Sequence, residues 1–269
     1  MNLELGHMNI PDAVWERVRK LLPKSNKAQG AGGRPRIDDR RVMSAIFYRC
    51  KTGIAWRDLP PVFGSKSTLH KRFQEWVDAG IFEKINIEAK KLYEHKLKIR
   101  NKRMAADGSF ARAPKGGFFT GPNPTDRGKK GVKRHILVDR LGAPVALVIA
   151  PAETHDSKLL KPTLISFEMH RGKAKIKPEI ISLDKAYCGK PVQILLSKMR
   201  INSRIPNKTN AKNPKRLSKL KPFRWIVERT FAWLNAFRAV KTCWEFKEKN
   251  YFAFCILACS IILFRMAKR

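Results

Sequence analysis

Cysteine and acidic residues are both scarce in this chain, and each shortage removes a class of function. The five cysteines, Cys50, Cys188, Cys243, Cys255 and Cys259, are odd in number and never stand in C-x-x-C spacing. A disulfide framework and a cysteine zinc site are therefore not indicated, and a reducing cytosol fits. No charged-then-apolar signal pattern opens the sequence, and the apolar run 251–264 has 14 residues, short for a bilayer span. A buried C-terminal helix is the stronger reading of that run, and a membrane segment a distant second. Aspartate and glutamate number 22 against 57 lysines and arginines, a net charge of +35. That excess is far beyond what solubility requires, so the natural partner is a polyanion. Charge alone does not separate an enzyme from a packaging protein. An anionic membrane surface is the weaker partner, because the basic residues are spread along the whole chain. With 269 residues and 43% hydrophobic content, the chain can build one large or two ordinary domains.

Residues 1–9 carry no pattern and read as a tail. Helical spacing of Val14, Trp15, Val18, Leu21 and Leu22 predicts a helix over 11–22, opened by Pro11 and closed by Pro23. The basic, glycine-rich linker 24–36 ends Gly32-Gly33-Arg34-Pro35-Arg36. Arg34 and Arg36 suit a narrow minor groove, although the same composition describes any solvated loop. Asp38 caps a second helix that Gly53 ends. Ser65 or Ser67 caps a third that runs to Ala79, with Leu69, Phe73, Trp76 and Val77 inward and Lys66, His70, Lys71 and Gln74 outward. This grouping matches helix-turn-helix organisation and a plain helical bundle equally well. Residues 81–99 continue as a basic helix, suited to a connector. The expected organisation is thus a tail over 1–9, a helical DNA-binding domain over 10–98 and a second, mixed α/β domain over 99–269.

Beyond residue 103 the period changes. The run 104–113 reads as a strand with Asp107 in its apolar middle, where an ionised group is costly unless paired or metal-bound. The loop 114–131 is rich in glycine, proline and lysine and suits phosphate contact. Segments 132–139 and 144–150, joined by a turn ending at Gly142, predict an antiparallel hairpin. Thr154-His155-Asp156-Ser157 reads as a helix cap in preference to a chemical pair. The strand 179–184 delivers Asp184 at its carboxyl end, where ligands sit in α/β sheets and where helix caps are also routine. A helix over 191–199, a strand over 201–205 and a basic connector over 207–221 follow.

The run 223–238 is apolar around most of a helical circumference, yet Arg224, Glu228 and Asn235 fall on one stripe. Glu228 has two candidate partners: Arg224 one turn away, a weak pair in this order, or a metal ion shared with Asp107 and Asp184. Two strand-borne aspartates and a helix-borne glutamate in a chain of charge +35 point to hard-cation coordination and in-line phosphoryl transfer on nucleic acid.

These residues also carry a resemblance. The runs Asp107-Gly108-Ser109, Gly121-Pro122-Asn123-Pro124-Thr125-Asp126-Arg127-Gly128-Lys129 and Lys133-Arg134-His135-Ile136-Leu137-Val138-Asp139 resemble the catalytic domain of bacterial insertion-sequence DDE transposases, closest to the insertion sequence five family. So do His155-Asp156-Ser157, Leu183-Asp184-Lys185-Ala186-Tyr187 and Val227-Glu228-Arg229-Thr230-Phe231-Ala232-Trp233-Leu234. Trp15 to Leu22, Gly32 to Arg36 and Thr52 to Pro60 are similar to the DNA-binding segment that precedes that domain. The resemblance implies an RNase H-like domain with Asp107 on its first strand, Asp184 after its fourth and Glu228 on the following helix. It further implies that these three acids hold Mg2+ or Mn2+, two ions per site, to cut at terminal inverted repeats and join the 3′-hydroxyl ends to target DNA. The expected DNA contacts are Arg34, Arg36, Lys66, His70, Lys71, Arg72, Lys129, Lys133, Arg134, Arg224, Arg229 and Arg238. Double-stranded DNA is the expected partner, a homodimer the expected synaptic state and the bacterial cytoplasm the expected location, with neither membrane nor small-molecule substrate. Three positions depart from the family pattern: Lys221 replaces a tyrosine, Asn235 a lysine or arginine, and Ala186 a glycine; Arg238 is the candidate replacement cation. A catalytically silent DNA-binding relative is the alternative reading, and a nuclease that cuts without joining is a third.

Overall fold

The computed structural model describes residues 12–23, 36–206 and 223–268. The tail 1–9, Arg34, the connector 207–221 and its Lys221 lie outside the described residues. Four helices come first, α1 (Asp12–Val18), α2 (Asp39–Thr52), α3 (Lys66–Asp78) and α4 (Ile81–Leu97). The predicted start and stop of α2 hold: Asp38 accepts the Arg41 N–H at 3.0 Å, and Gly53 takes the left-handed conformation at φ 71°. Ser65 precedes α3 but makes no side-chain cap bond.

A mixed sheet follows, from β1 (Arg103–Arg112), β2 (Gly121–Pro122), β3 (Lys130–Val138) and β4 (Pro144–Pro151) to β7 (Ile180–Ser182) and β8 (Asn202–Arg204). Strand β1 is central, antiparallel to β3 and parallel to β7, which pairs in parallel with β8. Strands β2 and β4 both add to β3. The β3–β4 turn closes through Gly142 at φ 83°, as its sequence position requires. A separate two-stranded ribbon joins β5 (His170–Arg171) to β6 (Ala174–Lys175). Helices α5 (Asp156–Ser166), α6 (Lys190–Lys198), α7 (Trp225–Asn235), α8 (Arg238–Lys241) and α9 (Glu248–Lys268) complete the fold. This is the mixed α/β, RNase H-like arrangement expected, preceded by a helical region: an acid on a central first strand, a second beyond the parallel neighbour, and a third on a later helix.

Helix α1 ends at Val18, short of the 11–22 span expected, and two further elements differ from their sequence reading. The basic helix 81–99 is not a bare connector. Its Ile81, Phe82, Ile85, Ala89 and Tyr93 are buried, and α4 lies along α9. The reason is α9 itself, which is apolar around nearly its whole surface and needs cover on every side. It meets α2, α3, α4, α8 and β4, with Phe73 stacked on Phe254 at 4.9 Å and Asn86 Nδ2 donating to Ser260 Oγ at 3.1 Å. Among the described residues α9 alone is long and apolar enough to cross a membrane, but 78% of that stretch is buried inside the protein. The second difference is the helix 223–238, which stops at Asn235; Phe237 turns extended and Arg238 opens the separate α8. Arg238 therefore does not continue the Glu228 helix.

The helical region and the sheet also meet at polar joints. Asp139, fully buried after β3, accepts from Tyr93 Oη at 2.9 Å, Arg100 N at 3.1 Å, Leu141 N at 2.8 Å and Ala143 N at 3.0 Å. Glu94 near the end of α4 accepts from Ile99 N at 2.7 Å and Arg171 Nε at 2.6 Å. Burial alone would raise the Glu94 carboxyl, but the Arg171 and Ile99 donors, with the charges of Arg171 and Lys98, outweigh it and hold it below the ordinary value of 4.5. Glu94→Gln is expected to cost about 1.5 kcal/mol at pH 7, the lower range for a charged hydrogen bond because Arg171 is half exposed. A depressed carboxyl contributes stability above its unfolded pKa and loses it as pH falls through the folded one, so the deficit should shrink as pH falls below the ordinary value of 4.5. Denaturant unfolding of both proteins at pH 7 and pH 3.5 checks this.

Candidate active site

Asp107 lies in the middle of β1, opposite Ile136 of β3, with its side chain only 14% exposed. Its Oδ1 accepts the Gly108 N–H at 2.9 Å, and its Oδ2 lies 3.2 Å from Arg224 Nη2. Burial pushes this carboxyl up; the Gly108 donor and Arg224 oppose the shift without cancelling it, and the charge of Asp184 adds to it. The strand thus holds an acid whose charge is incompletely met.

Asp184 arrives from β7. The β1–β7 ladder pairs Ala105 with Ser182, and two further residues along these parallel strands bring Asp184 level with Asp107. Asp184 Oδ1 accepts the Ala186 N–H at 2.7 Å, capping a 3-10 turn over Lys185–Tyr187. The cap reading of this residue therefore holds, and the cap commits one oxygen while fixing the carboxylate. Glu228 sits on α7, 62% exposed at its side chain, with Oε1 3.8 Å from Arg224 Nη2. Arg224 thus does not choose between a pair with Glu228 and a place among the acids; it takes both, closer to Asp107 than to Glu228. Burial would lower its pKa, and the charges of Asp107, Asp184 and Glu228 together raise it instead.

One guanidinium therefore stands in the field of three carboxylates. Among the described residues no group of three histidine, cysteine or acidic side chains converges closely enough to hold a metal ion. The acids are gathered around Arg224, and Glu228 is the most exposed of the three. The donor set itself, three hard carboxylates around an existing cationic position, suits Mg2+ or Mn2+.

Other residues at this site escaped the sequence reading. Within the run Thr154-His155-Asp156-Ser157, read as a cap, His155 caps α5 by accepting from Ser157 N. Asp156 is thereby released to pack on Gly108, where an added Cβ would fall 2.1 Å from Asp156 Oδ1. That glycine is needed for clearance beside Asp107, not for a turn. The local signal was Gly108 directly after the acid.

The expected DNA contacts divide. Arg36, Lys66, His70, Lys71, Lys129 and Arg238 are exposed, and Arg224 is partly so. Arg229 is half-buried between Trp225 and Trp233, at 4.9 and 4.7 Å from their ring centres, and donates to Leu141 O at 2.7 Å. Arg72, Lys133 and Arg134 are corrections. Arg72 is buried, hydrogen-bonded to Asp39 and set over Trp76 at 5.2 Å. Lys133 donates to Thr154 O at 2.6 Å and lies 3.3 Å from Asp156. Arg134 donates to Val240 O at 3.0 Å, Ser109 Oγ at 3.0 Å, Phe110 O at 3.2 Å and Asn235 Oδ1 at 3.1 Å. Strand β3 is covered on both faces, so its consecutive cations are sequestered on opposite sides.

Residues 10–86 match the family described as "Putative transposase of IS4/5 family", and residues 100–263 match "Transposase DDE domain". A "Putative transposase for insertion sequence element IS402" from Burkholderia cepacia is 31% identical over 153 residues, covering 56% of this chain and 71% of that protein. The "Insertion element IS402 uncharacterized 16.2 kDa protein" of the same organism is 31% identical over 123 residues, 43% of this chain and 80% of that one. Among solved structures, the catalytic domain of Mos1 mariner transposase aligns with 70% of this chain and 94% of its own at 11% identity and a TM-score of 0.26. The Mos1 mariner paired end complex with Mn aligns with 98% and 90% at 10% identity and a TM-score of 0.28. At these scores the likeness transfers no detail to this chain. The family matches rest on sequence, and they cover the helical region and the sheet in turn: the chain belongs to the DDE transposases of the IS4/5 insertion-sequence family.

Proposed function

We propose that this chain is an active DNA transposase that binds the terminal inverted repeats of its element, cleaves at the ends and joins the freed 3′-hydroxyls to target DNA. The observation that carries the reading is the cationic position among Asp107, Asp184 and Glu228, occupied by the Arg224 guanidinium. Mg2+ or Mn2+, two ions per site, would activate the attacking oxygen and steady the leaving one. Asp107 and Asp184 are held by strand and turn and form the fixed part of the site. Glu228 completes it by moving inward from its exposed rotamer. Arg224, relieved of its acids, then faces the scissile phosphate. Residues 10–98 act as the DNA-binding domain, with the exposed face of α3 (Lys66, His70, Lys71) toward the duplex and Arg36 and Lys129 neutralising phosphates. Pairing of two ends calls for a homodimer, working on the nucleoid in the bacterial cytoplasm.

A second reading, a silent DNA-binding relative, is favoured by two observations: among the described residues the three acids do not converge closely enough to share a metal, and Asn235, standing where the family pattern has a cation, serves as an internal acceptor for Arg134. Asp107→Ala, Asp184→Ala and Glu228→Ala separate the two. Each should lower cleavage of DNA carrying the flanking ends on the order of 10³-fold, about 4 kcal/mol of barrier, while binding in chelator is unchanged. Cleavage retained by any of the three would sink the catalytic reading.

Metal uptake has its own expected signature. Mn2+ should raise the melting temperature of the wild type in a concentration-dependent way and leave Asp107→Asn unmoved, as followed by thermal scanning. For DNA binding, Lys71→Ala should reduce the slope of log K against log salt by about 0.9, one phosphate contact. Arg72→Ala should instead lower the unfolding midpoint, because it strips a buried partner from Asp39.

A further inference from the structure

Strand β7 is short, and its ladder to β8 ends at the Leu183 N–H, which donates to Arg204 O at 3.0 Å. Asp184 lies one residue beyond that last bond. Its position depends on the turn that it caps, and the turn must in turn be fixed to the fold. Lys185 and Ala186 are exposed, whereas Tyr187 is fully buried and points inward.

The Tyr187 hydroxyl lies 2.6 Å from His135 Nε2, and His135 Nδ1 lies 2.7 Å from Thr163 Oγ1. Thr163 donates its own proton to Leu159 O at 2.8 Å. Burial, with the charge of Lys133, pushes His135 down to about 3, so the ring is neutral and carries one N–H. A carbonyl can only accept, which fixes the direction of the whole chain. Thr163 spends its proton on Leu159 O, so Nδ1–H donates to Thr163 Oγ1, and Nε2 accepts from the Tyr187 hydroxyl. His135 and Thr163 are both wholly buried, on β3 and α5 respectively. The relay therefore anchors the Asp184 turn to the strand beside β1 and to the helix whose first residue, Asp156, rests on Gly108. Burial first, and then the charges of Asp107, Asp156 and Asp184, push the Tyr187 phenol up.

We infer that Tyr187, through its hydrogen bond to His135, is a positioning residue that holds Asp184 level with Asp107 for metal binding. The inference rests on the metal-dependent reading of this site and adds a residue that touches neither metal nor DNA. No titration near neutral pH enters it; the effect is geometric.

The test uses the full chain and measures Mn2+ binding directly, by calorimetry and by the free-ion electron spin signal, with Asp107→Ala marking the site. Tyr187→Phe keeps the ring and removes the hydroxyl, and is expected to weaken Mn2+ binding about five- to tenfold with DNA affinity in chelator unchanged. His135→Leu should weaken it similarly. Each single variant strands one buried polar group, whereas the double variant His135→Leu/Tyr187→Phe strands neither and should recover most of the lost thermal stability. Its Mn2+ affinity should nevertheless stay low, which a purely structural role does not predict. Equal Mn2+ affinity in Tyr187→Phe and wild type, or full recovery in the double variant, overturns the proposal and leaves the metal reading intact. Wild-type uptake indifferent to Asp107→Ala overturns both.

Discussion

An ionised carboxylate on the central strand of a sheet must find compensation, and much of the structure around β1 answers that need. Asp107 draws the Gly108 N–H from its own strand and Arg224 from α7. The bare Cα of Gly108 admits the start of α5 to the same neighbourhood, and Lys133 meets Asp156 there from β3. Compensation is partial, since burial still holds the Asp107 carboxyl above its ordinary range. The site therefore carries incompletely compensated charge, a cost to folding of the kind that functional sites retain.

Arg224 gives this imbalance a specific form. Its guanidinium answers acids on two elements at once, 3.2 Å from Asp107 and 3.8 Å from Glu228, while sitting one helical turn before the second. Spacing alone identified the Glu228 half of the arrangement, because a residue four positions away shares a helix face. The Asp107 half joins residues 117 positions apart and is a property of the packing.

The same division runs through the whole chain. Local chemistry was legible: Asp38 and Gly53 bounded α2, Gly142 closed the hairpin, and Asp107 stood out as an acid within an apolar run. Asp107 and Asp184 could each be placed on a strand because each ended or interrupted a short apolar segment, but that the two strands are neighbours is a property of the fold. Illegible were the features made by partners far along the chain. Arg134 looked like any surface cation beside Lys133 until Val240 O and Asn235 closed over it from α8 and α7. Arg72 shared the basic face of α3 in sequence, yet one step of helical rotation put it inward against Asp39 and Trp76. Arg49 with Glu245 and Arg171 with Glu94 are further cations turned to structural use. A net charge of +35 identifies the kind of partner but overstates the number of residues available to meet it.

Helix α9 bears on how such a chain is made. It covers α4 and also walls the sheet at β4, so neither the early helices nor the strands have a complete apolar surface without it. About 150 residues lie between the end of α4 and the start of α9, roughly 10–30 s of synthesis at bacterial-to-eukaryotic elongation rates. Throughout that interval the nascent chain has a basic, DNA-attracting front and no closed core. A product cut short before α9 would leave the apolar faces of α4 and β4 uncovered. Helix α9 thus joins two apolar surfaces that lie far apart along the chain, and neither core closes until it has been made.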